Sequence, residues 1–272
     1  MDELQERLAR VGLSALSSYG FVLAGGYALQ AHQLVDRLSE DIDLFTDRWD
    51  REEFTRAVDA VCKAYRTDGL DVAVPRRAEA FARIQVTDPQ AGRIATVDLA
   101  ADFRQLDPVQ LSVGPVLAER DAVSSKVATV FSRGEARDYL DLAGILDSGR
   151  FTREELIRLG SEADRGFSKG WFAEALAGVD RFPEEDFAGY GVDSKRIAQV
   201  KETMRSWSSA LRAEIARETV PPSVPEVTRS IQTPTGPAYP QQRGRGHPSP
   251  SPWTTGPSGT PETPSRGPEI GF

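Results

Sequence analysis

The segment from Gly20 to Phe45 constrains the fold more than any other part of the 272-residue sequence. Gly20-Phe21-Val22-Leu23-Ala24 is a short apolar run typical of a buried strand, and Gly25-Gly26 ends that run with a turn. Tyr27 to Val35 has the pattern of a helix, and Asp41 to Phe45 has that of a second strand. This order of strand, turn, helix and strand predicts an α/β layer near the start of the chain.

Further helix and strand patterns complete two halves of different character. The first half adds helices at Leu4–Ala15 and Phe54–Tyr65, and strands at Leu70–Val74, Phe81–Val86 and Ile94–Leu99. After Pro115 the spacing of apolar residues becomes helical, and Thr152 with Glu155 forms a capping box that opens one helix. The sequence therefore predicts an α+β fold: a mixed sheet with flanking helices in residues 1–114, followed by a helical half in residues 115–218.

The last segment, residues 219–272, differs in composition from the rest of the chain. It contains 13 of the 18 prolines, separated mainly by Ser, Thr, Gly and Gln. Such a segment has little apolar surface to offset the entropy lost on ordering. We expect a disordered tail.

Composition excludes several classes of protein. The formal net charge of -8 argues against a general nucleic-acid coat, which needs a large basic surface. No apolar run approaches the roughly 20 residues needed to span a bilayer, and the acidic N-terminal segment does not resemble a signal peptide. Cys62 is the only cysteine, so an internal disulfide is excluded. We expect a cytoplasmic protein without a membrane partner.

Two aspartates in the second predicted strand have the spacing of a metal site. Asp41 and Asp43 are two residues apart, so their carboxylates project from the same face of the strand, while Ile42 points to the core. Two hard oxygen ligands, together with the oxygens of a triphosphate, suit Mg²⁺. The backbone amides of Gly25-Gly26 and the hydroxyl of Ser39 can cradle phosphate oxygens beside them.

A third carboxylate is expected where a second metal ion is held and the attacking hydroxyl is activated. Asp98 is the candidate, because it is a charged residue in the otherwise apolar strand Ala95-Thr96-Val97-Asp98-Leu99. Asp98 could instead be a strand residue that pairs with an arginine. The sequence leaves both interpretations open.

Two motifs resemble a known family. Leu23-Ala24-Gly25-Gly26-Tyr27-Ala28-Leu29, followed by Arg37 to Phe45, is similar to the abortive-infection (AbiEii-type) nucleotidyltransferase toxins of the polymerase-β-like nucleotidyltransferase superfamily. Lys126 and the segment Arg133 to Leu142 resemble the lysine and the Arg-Asp-x-x-Asp-Leu helix of that family. The resemblance covers roughly residues 15–147. One departure is Tyr27, where small residues such as threonine are common in the family.

The resemblance implies a role for each matching residue. Asp41 and Asp43 would be the metal carboxylates, and Ser39 would lie near the incoming phosphates. Lys126 would contact the phosphates of the nucleotide, and Asp141 would be a further acidic residue of the site. Family members transfer a nucleotide from an NTP, characterised toxins modify tRNA acceptor ends, and an antitoxin is usually encoded beside them.

Helical spacing adds one cation to this predicted site. Lys126 and Arg133 are seven residues apart and share a face if their helix extends that far, which would form a cationic wall facing the triphosphate. Arg137 and Asp141 are four residues apart and could pair. The simpler alternative is an ordinary salt-bridged helix.

The sequence therefore predicts a Mg²⁺-dependent nucleotidyltransferase toxin, with Mn²⁺ as a possible substitute, that uses an NTP and an RNA acceptor. The tRNA 3′ end as acceptor follows from the resemblance alone. A second hypothesis is nucleotidylation of a small hydroxylated molecule such as an aminoglycoside, which an acidic body would attract if the acceptor is cationic. A third is a catalytically silent nucleotide-binding module, against which the set Asp41, Asp43, Asp98 and Lys126 argues.

Overall fold

The computed structural model describes residues 2–37 and 39–219, which fall within one compact unit. Its helices are α1 (Glu3–Ala15), α2 (Gly25–Ala31), α3 (Arg51–Thr67), α4 (Glu119–Ser132), α5 (Ala136–Asp147), α6 (Arg153–Ala163), α7 (Lys169–Ala177), α8 (Glu185–Ala188) and α9 (Ser194–Thr219). Short 3-10 turns lie at Ser17–Tyr19 and Gly178–Arg181. Its strands are β1 (Val22–Leu23), β2 (Asp41–Thr46), β3 (Asp71–Arg77), β4 (Phe81–Asp88), β5 (Arg93–Ala101), β6 (Val109–Leu111) and β7 (Gly114–Val116).

These strands form a mixed sheet in the order β3-β4-β5-β2-β1-β7-β6. β2 pairs in parallel with β5 and antiparallel with β1, and β7 pairs in parallel with β1. The two outer hairpins, β3-β4 and β6-β7, are antiparallel. The sheet therefore places β2 and β5, the strands with the predicted carboxylates, side by side at its centre.

The two faces of β2 differ because its side chains alternate. Ile42 and Leu44 are fully buried on the face covered by α1, where Leu44 approaches Gly12. α3 packs beside α1, and the Tyr65 hydroxyl donates a hydrogen bond of 3.0 Å to the Leu8 carbonyl. The opposite face carries Asp41 and Asp43 and lies near α2 and α4.

The second half is helical, as the sequence predicts. α7 packs against the long helix α9, where the rings of Phe172 and Trp207 meet edge to face at 5.2 Å. The capping box of Thr152 and Glu155 opens α6 as expected. The predicted fold class is confirmed. The division of the chain into two domains between residues 114 and 115 stays a prediction.

Some elements differ from the sequence-based expectation. β6 and β7 are not predicted, because three-residue strands next to Pro108 and within Gly114-Pro115 have the composition of a loop. α2 ends at Ala31 rather than Val35, and Gln33 follows with a left-handed φ of 60°. The predicted disordered tail lies outside the described residues except for Thr219. Among the described residues, no helix has both the length and the apolar character that crossing a membrane requires.

Candidate active site

Three carboxylates converge on the open face of the central strands. Asp43 lies directly opposite Asp98 in the parallel register of β2 and β5, and Asp41 lies opposite Thr96. The side chains flanking Asp43 and Asp98 in sequence are buried in the core, so the carboxylates have only the other face available. Because side chains alternate between the two faces of a strand, the neighbouring strands β2 and β5 bring all three carboxylates to one surface of the sheet.

The Gly25-Gly26 turn meets this acidic surface at close range. Gly25 has a left-handed φ of 58°, and a Cβ there would overlap the Asp43 Oδ2 atom and lie 2.6 Å from its Cγ atom. A Cβ at Gly26 would lie 2.8 Å from the Ser39 Oγ atom. The Ala24 amide also donates a 2.8 Å hydrogen bond to the Asp43 carbonyl. Both glycines are therefore needed for the start of α2 to approach Asp43 and Ser39.

The loop that carries Ser39 is held from two sides. The Tyr27 hydroxyl and the Gln5 side-chain amide donate hydrogen bonds of 2.8 Å and 3.0 Å to the Ser39 carbonyl. Tyr27 is buried, and burial raises the pKa of its hydroxyl, which keeps the proton that this hydrogen bond uses. The tyrosine that departs from the family pattern therefore supports the loop from within the core.

Asp98 pairs with an arginine, which is the second of the two interpretations that the sequence leaves open. Arg83 of β4 lies opposite it in the antiparallel register and donates from Nε and Nη2 at 2.9 Å and 2.7 Å. This two-point hydrogen bond raises the pKa of the Arg83 guanidinium. Asp98 lines the cleft all the same, so Arg83 is a cleft residue as well.

The buried position of Asp43 on the acidic floor affects its ionisation. Burial and the nearby charges of Asp98 and Asp41 together raise the pKa of Asp43 to about 6, against the opposing effect of Lys126 and Arg137. A positive charge placed beside Asp43 would therefore stabilise its ionised form.

Lys126 and Asp141 belong to a buried network of four charges. The Lys126 ammonium lies 2.8 Å from Asp138 Oδ1 and 2.9 Å from Asp141 Oδ2. Arg37 donates to both oxygens of Asp141 at 2.6 Å and 2.7 Å. The side chains of Asp138 and Asp141 are fully buried, and that of Arg37 is only 5% exposed. Two cations and two carboxylates compensate each other here.

The ion pairs of this network determine the directions in which the pKa values of Lys126 and Asp138 are shifted. Burial alone would lower the pKa of Lys126, but Asp141 and Asp138 outweigh burial and raise it. Burial would raise the pKa of Asp138, but Lys126 and the Glu135 amide lower it. Both groups are therefore held in their charged forms.

Two further arginines stand at the start of α5. α4 ends at Ser132, so Arg133 lies beyond the helix, and Gly134 follows with a left-handed φ of 53°. Arg133 is half exposed, with its Nε atom 3.7 Å from the nearest Asp138 oxygen. Arg137 does not pair with Asp141; it lies 2.9 Å from Glu135 and 3.5 Å from Asp41. Both arginines therefore face the acidic surface from the opposite wall.

These groups line one cleft of about 390 Å³. Of the residues predicted from the sequence, the cleft contains Gly25, Gly26, Ser39, Asp41, Asp43, Asp98, Lys126 and Arg133. Asp141 does not line the cleft, because both of its oxygens are taken by Arg37 and Lys126 behind its wall. The cleft thus has an acidic floor on the sheet and a cationic wall from α4 and α5.

The family model of the nucleotidyltransferase AbiEii toxin, type IV toxin–antitoxin system, matches residues 8–187, more than half of the chain. The chain belongs to this family. It is a nucleotidyltransferase of a toxin family, and the matched residues contain every element that lines the cleft.

Solved structures share the fold. A candidate nucleotidyltransferase from H. pylori superposes with a TM-score of 0.50 at 15% identity, covering 81% of this chain and 100% of that chain. MenT4, a nucleotidyltransferase toxin from Mycobacterium tuberculosis, superposes with a TM-score of 0.51 at 20% identity, covering 79% of this chain and 86% of its own. The antibiotic-resistance factor ANT(2'')-Ia reaches a TM-score of only 0.28 at 15% identity over 80% of this chain and all of its own, which supports no argument about function. No curated protein matches the sequence.

The carboxylates of this AbiEii family member fit a divalent cation in part. Asp41 and Asp43 offer hard oxygen ligands beside the glycine turn, on the same face of the sheet. The oxygens of Asp98 are taken by Arg83, and no ready group of three metal-ligating side chains occurs among the described residues. Asp41 and Asp43 therefore fit the cation as they stand, and Asp98 fits only if Arg83 releases it.

Sequence reasoning assigns no role to three charged residues that shape the site, namely Arg37, Arg83 and Asp138, and it pairs Arg137 with Asp141 rather than with Glu135 and Asp41. The alternation of Phe81 and Arg83 in β4 contains a usable signal, because it places Arg83 on the face of the sheet that Asp98 occupies. No local signal reveals Arg37, whose partner Asp141 is 104 positions away in the chain.

Proposed function

We propose that this chain transfers a nucleotide from an NTP to an RNA acceptor, and that the acceptor is the 3′ end of tRNA. One observation carries the transferase site: Asp43 lies under Gly25 and opposite Asp98, on the acidic floor of a cleft whose other wall is cationic. Membership of a nucleotidyltransferase toxin family supports the reaction class. The choice of tRNA rests on the resemblance in sequence.

Asp41 and Asp43 would hold Mg²⁺, for which Mn²⁺ could substitute. When bound, the cation neutralises charge on the triphosphate and on the departing pyrophosphate. Gly25 and Gly26 let the start of α2 approach Asp43 and Ser39, so that the backbone amides of this turn and the Ser39 hydroxyl would bind phosphate oxygens beside the metal carboxylates. The residues of the chain thus position the α-phosphate before transfer begins.

The transfer step is an in-line displacement at the α-phosphorus. A hydroxyl oxygen of the acceptor forms the new bond to the α-phosphorus, and the bond from that phosphorus to the bridging oxygen breaks, so that pyrophosphate leaves with the electron pair. The proton of the hydroxyl passes to Asp98, which must first exchange its contact with Arg83. Arg83 then stands free to face the phosphates.

The cations of the opposite wall stabilise charge on the leaving group. Arg133 reaches the cleft with only long contacts to carboxylates, and Lys126 lines the same cleft from α4. Asp141 acts as a positioning residue, because it holds Lys126 and Arg37 without touching the cleft. The field of Lys126 is reduced by its two carboxylate partners, so Arg133 contributes more of the free positive charge.

The family description as a type IV toxin–antitoxin system supports two further proposals. We infer that a cognate antitoxin counteracts this enzyme, and that the enzyme acts in the cytoplasm, where NTPs and tRNA occur together.

The direct test supplies each α-phosphate-labelled NTP with Mg²⁺ and total tRNA. Label is expected on tRNA with the wild-type chain and is expected to fall at least about 100-fold with Asp43→Asn, because the lost carboxylate stabilises charge in the transition state. Asp47→Asn is the matched control, since Asp47 follows the same strand but pairs with Arg104 outside the cleft. Near-normal transfer by Asp43→Asn would refute the metal assignment.

Metal binding has a readout that does not depend on transfer. Mg²⁺ is expected to raise the thermal unfolding temperature of the wild-type chain and of Asp47→Asn, but not that of Asp43→Asn, since a ligand stabilises only the fold that binds it. Equal stabilisation of all three chains would show that Asp43 is not a ligand.

One observation favours a second acceptor class. The net charge of -8 would attract a small cationic molecule that carries a hydroxyl. Label that moves to such a molecule, and not to tRNA, would identify this alternative.

A further inference from the structure

A second cavity of about 560 Å³ adjoins the cleft. It lies between the C-terminal end of α4 and the helix α7 with its following 3-10 turn, and it shares Ser132 and Arg133 with the cleft. Its volume is within the range of cavities that hold small ligands. Arg133 therefore stands on the border between the reaction site and a space that the proposed reaction leaves unused.

An exposed tryptophan forms one wall of this cavity. Trp171 lies in the first turn of α7, and 71% of its surface is exposed. Its neighbours Phe172 and Leu176 are fully buried and supply the contact of α7 with the core. Trp171 thus presents a large aromatic surface that packing of the helix does not require.

The same cavity has guanidinium groups that are not neutralised by its one carboxylate. Glu174 is paired with Arg212 on the far side, at 2.8 Å and 3.2 Å. Arg181 donates to the Gly178 carbonyl at 3.2 Å and lies beside two neutral groups, the Tyr139 hydroxyl and the Phe182 ring, and in the described part of the chain it has no salt bridge. A Cβ at Gly178 would lie 3.0 Å from an Arg181 nitrogen, so this glycine leaves room for the guanidinium. Arg181 therefore keeps its positive charge for a ligand, and Arg133 adds a guanidinium whose contacts to carboxylates are 3.7 Å or longer.

We propose that this cavity binds an unpaired nucleotide of the RNA acceptor, with the base stacked on Trp171 and phosphates bound by Arg181 and Arg133. An aromatic platform beside guanidinium groups is how single-stranded nucleic acid is held without reading its sequence. The shared residue Arg133 gives a strand in the cavity a continuous path into the cleft. The inference rests on the proposed function, because it requires an RNA acceptor.

The test measures the KM for tRNA, the KM for NTP and kcat separately in the full-length chain. Trp171→Ala is expected to raise the KM for tRNA about tenfold, the scale of one lost stacking contact, and to leave the KM for NTP and kcat unchanged. Trp171→Phe should restore most of the loss, since it keeps an aromatic face. Arg181→Ala should also raise the KM for tRNA. Trp49→Ala is the matched control, because Trp49 is 63% exposed and lies outside the cavity.

Each other outcome has a distinct meaning. If the wild-type chain labels tRNA and Trp171→Ala has an unchanged KM for tRNA, this inference is wrong and the proposed function stands. If Trp171→Ala raises only the KM for NTP, the cavity holds the nucleoside of the donor, which also overturns it. If the wild-type chain labels no RNA, the proposed acceptor is wrong and the cavity has no RNA to bind. Thermal unfolding of each variant separates these results from a loss of fold.

Discussion

A single missing Cβ atom determines how closely α2 approaches β2. Gly25 combines a left-handed φ of 58° with direct contact to Asp43, so two separate constraints act on one position. Gly25→Ala is expected to lose about 1–2 kcal/mol of folding free energy from the backbone alone. It should also lose most transfer activity, because the added methyl group displaces the Asp43 carboxylate. Labelled-NTP transfer and thermal unfolding check the two effects.

Gly69 offers a control for the backbone part of this prediction. It has a φ of +83°, and nothing lies within 4 Å of a Cβ placed there. Gly69→Ala should therefore lose a similar folding free energy and keep its transfer activity. Equal activity of the two variants would mean that the close approach to Asp43 has no catalytic consequence.

Burial of Asp43 makes a prediction about stability against pH. The pKa of Asp43 is raised to about 6 in the folded chain, so folding favours the protonated form of its carboxyl group. The stabilisation from this proton is fully present below the unfolded pKa of about 3.9 and is lost as the pH rises through 6. In a metal-free buffer at pH 7.5, Asp43→Asn is expected to stabilise the fold by roughly 3 kcal/mol. Most of the gain should be lost at pH 4, where the folded chain holds Asp43 protonated. Urea unfolding at both values measures it, and a gain independent of pH would contradict the charge argument.

Residue-level prediction from the sequence succeeds where the geometry is local. Alternation along one strand is enough to place Asp41 and Asp43 on a common face, since each side chain's direction depends only on its own strand. The contact between Asp98 and Arg83 depends on the register of β4 against β5, and register is set by pairing that local sequence does not specify. The sequence therefore identifies Asp98 as unusual without identifying its partner.

At the scale of elements, the four-charge network joins α4, α5 and the loop after α2. Asp141→Ala is expected to cost about 3–5 kcal/mol, because it removes the carboxylate that accepts two hydrogen bonds from the buried Arg37 and leaves Asp138 as the one carboxylate paired with Lys126 in the described part of the chain. Asp147→Ala is the control in the same helix, since Asp147 pairs with Arg196 while 55% exposed, and its loss should cost less than about 1 kcal/mol. Chemical denaturation of both variants measures the difference. Similar small losses would mean that the network does not hold these elements together.

Element boundaries show the same division between local and non-local causes. Apolar spacing predicts α4 and α5, but it does not show that α4 ends at Ser132 and that Arg133 leaves the helix. Arg133 therefore reaches the cleft from a loop, rather than along the shared helix face that its spacing from Lys126 indicates. The hairpin of β6 and β7 is stabilised by pairing with β1, which no pattern within those short segments records.

At the scale of the whole molecule, the protein has a net charge of -8, and the proposed acceptor, RNA, is also negatively charged, so the two repel each other overall. A protein of this charge can attract phosphates only through a local group of cations, here Arg133 and Arg181 beside the cleft. Two to four phosphate contacts predict that log K for RNA binding falls with log salt concentration with a slope of about -2, since each contact to a single strand contributes about -0.7.

Fluorescence anisotropy of labelled tRNA between about 50 and 400 mM KCl, without NTP, measures this slope. Arg181→Ala should make the slope shallower by about 0.7, while Arg56→Ala, an exposed arginine on α3, should leave it unchanged. A wild-type slope steeper than about -5 would require many more phosphate contacts than the cations around these two cavities can make. RNA would then have to bind across a broad surface, and the acidic body of this enzyme would not restrict the acceptor to the cleft.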